Sequence, residues 1–257
     1  MTTCKNCTNT FEGNYCPNCS QKADTHRFTI KHLAHEFFHA FTHADKGIIF
    51  LSKELFIRPG KVARDFNLGK RKKYFNPITY LLLVMALQIY LTKKTDINTY
   101  YINQINSINE AEVQIGKTAE HQKIEGLMNR VQENMQEHGK LINFLFIPVL
   151  ALLIWMMFRK SEFNYAETLV LSVMYVAHIL LLYVLLCIIP FVIYRNSVTV
   201  TMNLYMIASF VYMMIALKQF YLQGWWATFF KTLVIQVLYY IVISLAMLAV
   251  TVYLYLQ

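Results

Sequence analysis

The stretch AETLVLSVMYVAHILLLYVLLCII, Ala166–Ile189, holds one glutamate near its start, one histidine near its middle and otherwise apolar, small or hydroxyl-bearing side chains. A helix rises about 1.5 Å per residue, so a run of this length crosses the roughly 30 Å hydrocarbon core of a bilayer. The same texture continues on both sides. Apolar runs predict spans over 74–92, 141–158, 166–189, 200–217 and 229–256. A chain that is 56% hydrophobic and only 15% charged is too apolar for an ordinary soluble domain. A large soluble core would need polar outer faces and frequent turns, and residues 141–257 offer neither. The predicted fold class is an all-α integral membrane protein with about five transmembrane helices, preceded by a small Cys4 zinc ribbon and amphipathic interfacial helices.

Prolines punctuate the spans. Asn76-Pro77 reads as an N-cap followed by proline at the first helical position, where its missing N–H costs nothing. Pro148 falls inside the second span and predicts a kink. Pro190 is expected to end the third. The fifth is long enough to tilt or to begin in the interface.

Loop charge sets the expected orientation. Residues 1–76 carry thirteen Lys or Arg, four of them in the run Lys70-Arg71-Lys72-Lys73. That excess predicts a cytoplasmic N-terminus and, after five spans, an external C-terminus in the inner (cytoplasmic) membrane. Residues 93–140 form the one sizeable outer loop; their six basic and seven acidic residues leave them nearly neutral. The first 25 residues lack the basic-then-apolar pattern of a signal peptide, so the first apolar span is expected to target the chain.

Those first residues contain CKNCTNTFEGNYCPNCSQ, Cys4–Gln21. Cys4, Cys7, Cys16 and Cys19 form two Cys-x-x-Cys pairs, a spacing that lets both sulfurs of each pair meet one metal. Gly13-Asn14 supplies the reversal between the halves. Two disulfides or free thiols are the competing reading; a reducing cytosol disfavours disulfides. Structural Zn²⁺ is the expected cofactor. A closed four-thiolate site has no open position for substrate, so no catalysis is expected of it. So short a segment cannot bury enough surface to fold alone, and the metal would supply what a core cannot.

Residues 26–73 read as a basic amphipathic arm lying on the membrane. On one helix face stand Ile30, Leu33, Phe37, Phe38 and Phe41; His32, His35, His39 and His43 fall on the other. Ile48–Leu51 and Leu55–Ile57 are a second apolar run. Pro59 suits the first turn of a further helix, Val62 and Phe66 share its face, and Gly69 can cap it. Lys61, Arg64, Lys70, Arg71, Lys72 and Lys73 are then expected to face anionic headgroups. Lipid is favoured over nucleic acid because the basic cluster abuts a span. The spacing of His35, His39 and His43 would let imidazoles converge on a second metal or act as a proton-linked switch. The plainer reading is a solvated face, and no tight site is expected there.

The stretch RPGKVARDFNLGKRKKYFNPITYLLL, Arg58–Leu83, resembles the signature of the bacterial domain-of-unknown-function 3667 family. The matching positions are Arg58, Pro59, Gly60, Gly69, Lys70, Arg71, Tyr74, Asn76 and Pro77. The resemblance covers about the first 85 residues. It implies a short ribbon, a His- and aromatic-bearing helix, the Arg-Pro-Gly turn and then several spans, with no activity attached. Ser20 stands where the ribbon motif of that family usually has glycine.

Inside the predicted bundle, His178 is the only ionisable side chain deep in a span, and intramembrane ionisable residues are functional candidates. A neutral histidine hydrogen-bonded to Gln236, Asn203 or a tyrosine hydroxyl is the plainer account. Cys187 reads as a packing residue. No Ser-x-x-Lys, Gly-x-Ser-x-Gly or P-loop pattern occurs, and no enzyme is expected, although His35-Glu36-Phe37-Phe38-His39 does have the His-Glu-x-x-His spacing. The expected function is an anchored ribbon that docks a cytosolic protein at an anionic bilayer surface. The alternative is a metal- or proton-linked permease or membrane enzyme using the histidine stripe or His178.

Overall fold

The computed structural model describes residues 1–25, 27–30, 47–112 and 144–256. His32, His35, His39 and His43 lie outside the described residues, as does most of the predicted outer loop. At the N-terminus, β1 (Thr2–Thr3) pairs antiparallel with β2 (Thr10–Phe11). The α-helices among the described residues are α1 (Ile48–Ile57), α2 (Pro59–Asn67), α3 (Pro77–Thr95), α4 (Ile97–Glu112), α5 (Ile147–Met157), α6 (Tyr165–Tyr183), α7 (Ile189–Ile193), α8 (Val198–Tyr221) and α9 (Trp225–Leu256). A π-helical turn, Val184–Ile188, joins α6 to α7.

Among the described residues, three helical segments are long and apolar enough to cross a membrane: Tyr165–Ile193, Arg195–Tyr221 and Trp225–Ala246. α3 and α5 occupy two further predicted spans. α3 is interrupted by polar residues that satisfy one another. Gln88 donates to the Thr92 hydroxyl at 3.0 Å, and that hydroxyl donates to the Gln88 carbonyl at 2.7 Å. α5 is apolar but short. α9 opens on the exposed pair Trp225-Trp226, the residue type that favours a membrane–water boundary.

Local signals act where the sequence placed them. The Asn76 side chain accepts from the Ile78 and Thr79 N–H groups, and Pro77 follows in the first turn. Pro59 opens α2, and Gly69 lies beyond its end at φ +105°. Pro148 and Pro190 behave differently from expectation. Pro148 lies in the first turn of α5, where the chain restarts after Phe146. Its missing N–H is therefore one that a helix start leaves unused anyway, and the kink is a break. Pro190 does not end its span, which runs on to Ile193. The wider π turn before it makes room for a ring that would otherwise clash with the carbonyl four residues back.

α6 is the central helix, packed against α3, α5, α2 and α8. One hydrophobic cluster runs from Phe28 through Leu51, Leu55, Val62 and Phe66 to Met213 and Ile235. The expected surface arm is thus partly an internal element. α2 lies against α8 so closely that a Cβ on Gly60 would meet the Phe220 nitrogen at 2.6 Å and the Ala216 carbonyl closer still. The Gln219 side chain accepts from the Gly60 N–H at 3.1 Å. Apolar Val62 and Phe66 found a helical groove to bury in, and that outcompetes lying flat on lipid.

Candidate metal centre

The ribbon is two copies of one turn. CKNCTN (4–9) and CPNCSQ (16–21) have the same pattern of Cys, Asn, Cys, hydroxyl and amide residues. In the first copy the Cys4 N–H donates to the Asn9 carbonyl at 2.8 Å and the Thr8 N–H to the Cys4 carbonyl at 2.9 Å. In the second, the Cys16 N–H donates to the Gln21 carbonyl and the Ser20 N–H to the Cys16 carbonyl, both at 2.8 Å. Thr8 and Ser20 both take the left-handed conformation, at φ 64° and 58°. Glycine would hold that backbone at either position with little cost. Gly13, at φ +111°, makes the reversal between the copies.

The turns bring four free thiols together. Cys4 and Cys19 sulfurs are 3.5 Å apart, Cys7 and Cys16 sulfurs 3.6 Å, and all four lie within 4.8 Å of one another. Four sulfurs around a tetrahedral Zn²⁺, each about 2.3 Å from it, would be separated by roughly 3.8 Å. The donor set and spacing fit a metal ion. Backbone N–H groups also aim at the sulfurs. Burial opposes ionisation of Cys16, but the N–H groups of Cys19 and Asn18 pull its thiol down to about 6. The Asn6 side chain, against the effect of burial, helps lower the Cys19 thiol, as does the Gln21 N–H. The Asn9 N–H lowers the Cys7 thiol, but burial and the adjacent Cys19 and Cys16 sulfurs outweigh it and raise it to about 11. The sulfurs share protons that a dication would displace.

Sequence reasoning missed Gln21. Its side chain is buried and engaged at both ends: the amide donates to the Gly69 carbonyl, and its oxygen accepts from the Lys72 N–H at 2.9 Å. Lys5 adds a bond to the Thr25 carbonyl at 2.9 Å, and its stem lies against Gly69. The ribbon is therefore clamped to the 69–72 loop that leads into α3. The available signal was the repeat itself, which places Gln21 opposite Asn9.

Residues 45–89 match the family model of a protein of unknown function (DUF3667). That match contains the stretch Arg58–Leu83 and covers α1, α2 and most of α3, including the loop that the ribbon grips. No curated protein and no solved structure matches the chain.

The predicted basic residues divide into two groups. Arg64 donates to the Phe220 carbonyl at 2.8 Å and to Glu162 at 2.7 Å. Lys70 pairs with Asp65 at 2.9 Å, and Arg71 lies over the Phe28 ring, 3.8 Å from its centroid. Arg27 joins this lattice by pairing with buried Glu167 at the start of α6. Arg64 thus ties α2 to α8 and to the segment before α6, while Lys70 pairs locally with Asp65 of α2 and stays partly exposed. Lys61, Lys72 and Lys73 are exposed.

His178 is fully buried. Its Nδ1 lies 3.2 Å from the Tyr80 hydroxyl, which is itself 3.2 Å from the Ser52 hydroxyl. Phe56 meets its ring edge-on and Tyr212 stacks on it. Among the described residues, its Nε2 has no hydrogen-bond partner. Of the sequence candidates for its partner, a tyrosine wins; Gln236 turns to Met213. Cys187 is packed, its thiol 3.6 Å from the Thr201 carbonyl.

Proposed function

We propose that this chain is a multi-pass protein of the bacterial inner membrane that displays a zinc-loaded ribbon to a cytosolic protein partner. In this reading α3, α5, α6–α7, α8 and α9 make five crossings, with the N-terminus cytoplasmic and the C-terminus external. The observation that carries it is the four-thiol cluster held rigidly, through Gln21, on the loop that opens α3. A module so held is positioned, and its outer side, where Tyr15 is 63% exposed, is open to a partner. The closed four-sulfur donor set suits a scaffold better than a reaction centre.

A photo-crosslinking side chain in place of Tyr15, in cells, tests the docking role. One discrete protein adduct that disappears with Cys16→Ser supports it. No adduct, or one indifferent to that substitution, overturns it. Topology reporters after Gln257 and in the 94–140 loop should both read external.

A second reading, a proton-linked permease or membrane enzyme, draws on the unpartnered Nε2 of buried His178 and the Ser52–Tyr80–His178 chain. A buried polar nitrogen left unpaired is costly. His178→Gln would abolish proton-coupled flux in this reading and leave the docking adduct unchanged in the first.

A further inference from the structure

Beside the loop that the ribbon grips, a cavity of about 320 Å³ opens between the starts of α1 and α3. Gly47, Arg71, Lys72, Lys73, Tyr74 and Asn76 are among its walls, and every lining residue lies within the segment that matches the family model. Among the described residues, the lining contains three cations and no carboxylate. Among the described residues, Lys72 and Lys73 make no ion pair, unlike Arg64 and Lys70. The volume is at the small end of the range for small-molecule sites, roughly 300–1,000 Å³. That suits a headgroup and not a whole lipid.

Two features add to the charge. α1 begins at Gly47 with no side-chain cap, so its positive end also borders the cavity. The Lys72 N–H is held by Gln21, so the ribbon fixes the backbone of one wall. The third feature selects the kind of ligand. The Phe50 ring stacks on Tyr74, with centroids 6.1 Å apart, and Tyr74 is a cavity wall. Phe50 belongs to a face of α1 on which Ile49 is 79% and Ile57 63% exposed. A cationic pocket that runs directly into an exposed apolar helix face complements a molecule with an anionic head and an apolar tail.

We propose that this cavity binds the phosphate headgroup of an anionic membrane lipid, with the acyl chains along Ile49 and Phe50. The proposal rests on the membrane reading and names the lipid-binding site within it. Lys72 and Lys73 meet the phosphate, and the uncapped start of α1 supplements them.

The test uses the purified full-length protein in neutral detergent with three probes: short-chain phosphatidic acid, short-chain phosphatidylcholine and inorganic phosphate. Phosphatidic acid should bind saturably and displace neither metal nor fold. Lys72→Gln with Lys73→Gln should weaken that binding about tenfold or more. The equal-charge control, Lys93→Gln with Lys94→Gln at the far end of α3, should change it less than about twofold. Phosphatidylcholine binding as tightly, inorganic phosphate competing equally, or the control pair losing as much would each overturn the proposal. Metal content is read on the same samples, and membrane insertion on the cells from which they were purified. If both are intact while lipid binding fails, this site is wrong and the anchored-ribbon reading stands. If metal or insertion is absent from the parent protein, that reading fails first.

Discussion

In the ribbon, the hydrophobic cluster consists of Cys4, Phe11 and Cys16, with Cys7, Cys19 and Ala23 packed beside them. In the helices, one cluster runs from Phe28 to Ile235 and draws on α1, α2, α3, α5, α6, α8 and α9. The two regions solve the same problem with different means. The ribbon has two-residue strands and four of its six clustered side chains are cysteines, which leaves little apolar surface to hold it together. The bundle has apolar surface to spare, and its polar groups serve to set angles between helices. The join between them is small and specific: Gln21, Lys5 and Gly69.

The largest expected effect falls on the ribbon alone. Purified protein should carry one zinc per chain, and Cys4→Ser or Cys16→Ser should release it. Structural zinc contributes roughly 10–16 kcal/mol of apparent binding energy in small zinc-finger peptides, far more than this cluster could replace. Residues 1–25 should become protease-sensitive while helical content by circular dichroism holds. A bundle that also unfolds on metal loss would show that the two regions share one stability, and the contrast drawn here would fail.

The next effect falls on the bundle alone. Gly60→Ala places a methyl group against the backbone of α8, near the Phe220 nitrogen and the Ala216 carbonyl. Neither can rotate away as a side-chain tip could. Overpacking of this kind costs about 1–3 kcal/mol and occasionally more; backbone on backbone puts Gly60 at the upper end. Unfolding in a denaturing detergent should begin earlier, with zinc content unchanged. An unshifted transition would mean that α2 does not sit against α8 as described.

The join comes third. Gln21→Ala strips the partners from the Gly69 carbonyl and the Lys72 N–H, and buried unpaired groups cost about 1–3 kcal/mol. Amide exchange should accelerate across 69–73 and leave α6 untouched. Gln21→Glu is a sharper probe, because a carboxylate still accepts from Lys72 but cannot donate to Gly69. With a buried anion facing a carbonyl oxygen, it should exchange at least as fast as the alanine variant. Equal exchange in all three would make the clamp incidental.

What the sequence could reveal follows from distance along the chain. Asn76-Pro77, Arg58-Pro59-Gly60, Gly69 and the cysteine spacing are local signals, each read within a few residues, and each appears where expected. The contacts that turn the arm into an internal element are not local. Gly60 meets Ala216, Arg64 meets Glu162, and Arg27 meets Glu167. No periodicity in residues 26–73 distinguishes a face that will meet lipid from one that will meet a helix, since both are apolar. The same limit applies to His178, whose need for a partner was readable but whose choice of Tyr80 depended on how α3 crosses α6. Gln21 is a plainer case: a glutamine becomes a clamp only when two backbone groups come to its two ends.

The smallest effect probes the one strain visible in the ribbon. Thr8 and Ser20 hold left-handed backbone at φ 64° and 58°, a conformation that costs an L-residue roughly 1–2 kcal/mol and glycine almost nothing. Against that gain, glycine loses more freedom on folding, so the net benefit of Ser20→Gly should be about 0.5–1 kcal/mol. Where the folding of so small a ribbon is coupled to metal binding, the gain should appear as tighter zinc binding, by about two- to fivefold. Thr8→Gly should do the same, because the two turns share one backbone pattern. Asn18→Gly is the control: it has no positive φ to relieve, and it should weaken the site or leave it unchanged. A competition titration of the full-length protein against a chromogenic chelator resolves differences of this size. If Ser20→Gly weakens zinc binding, then the hydroxyl does something in the folded ribbon that outweighs the backbone strain. If Thr8 and Ser20 respond in opposite directions, the two halves of the ribbon are alike in geometry but not in energy.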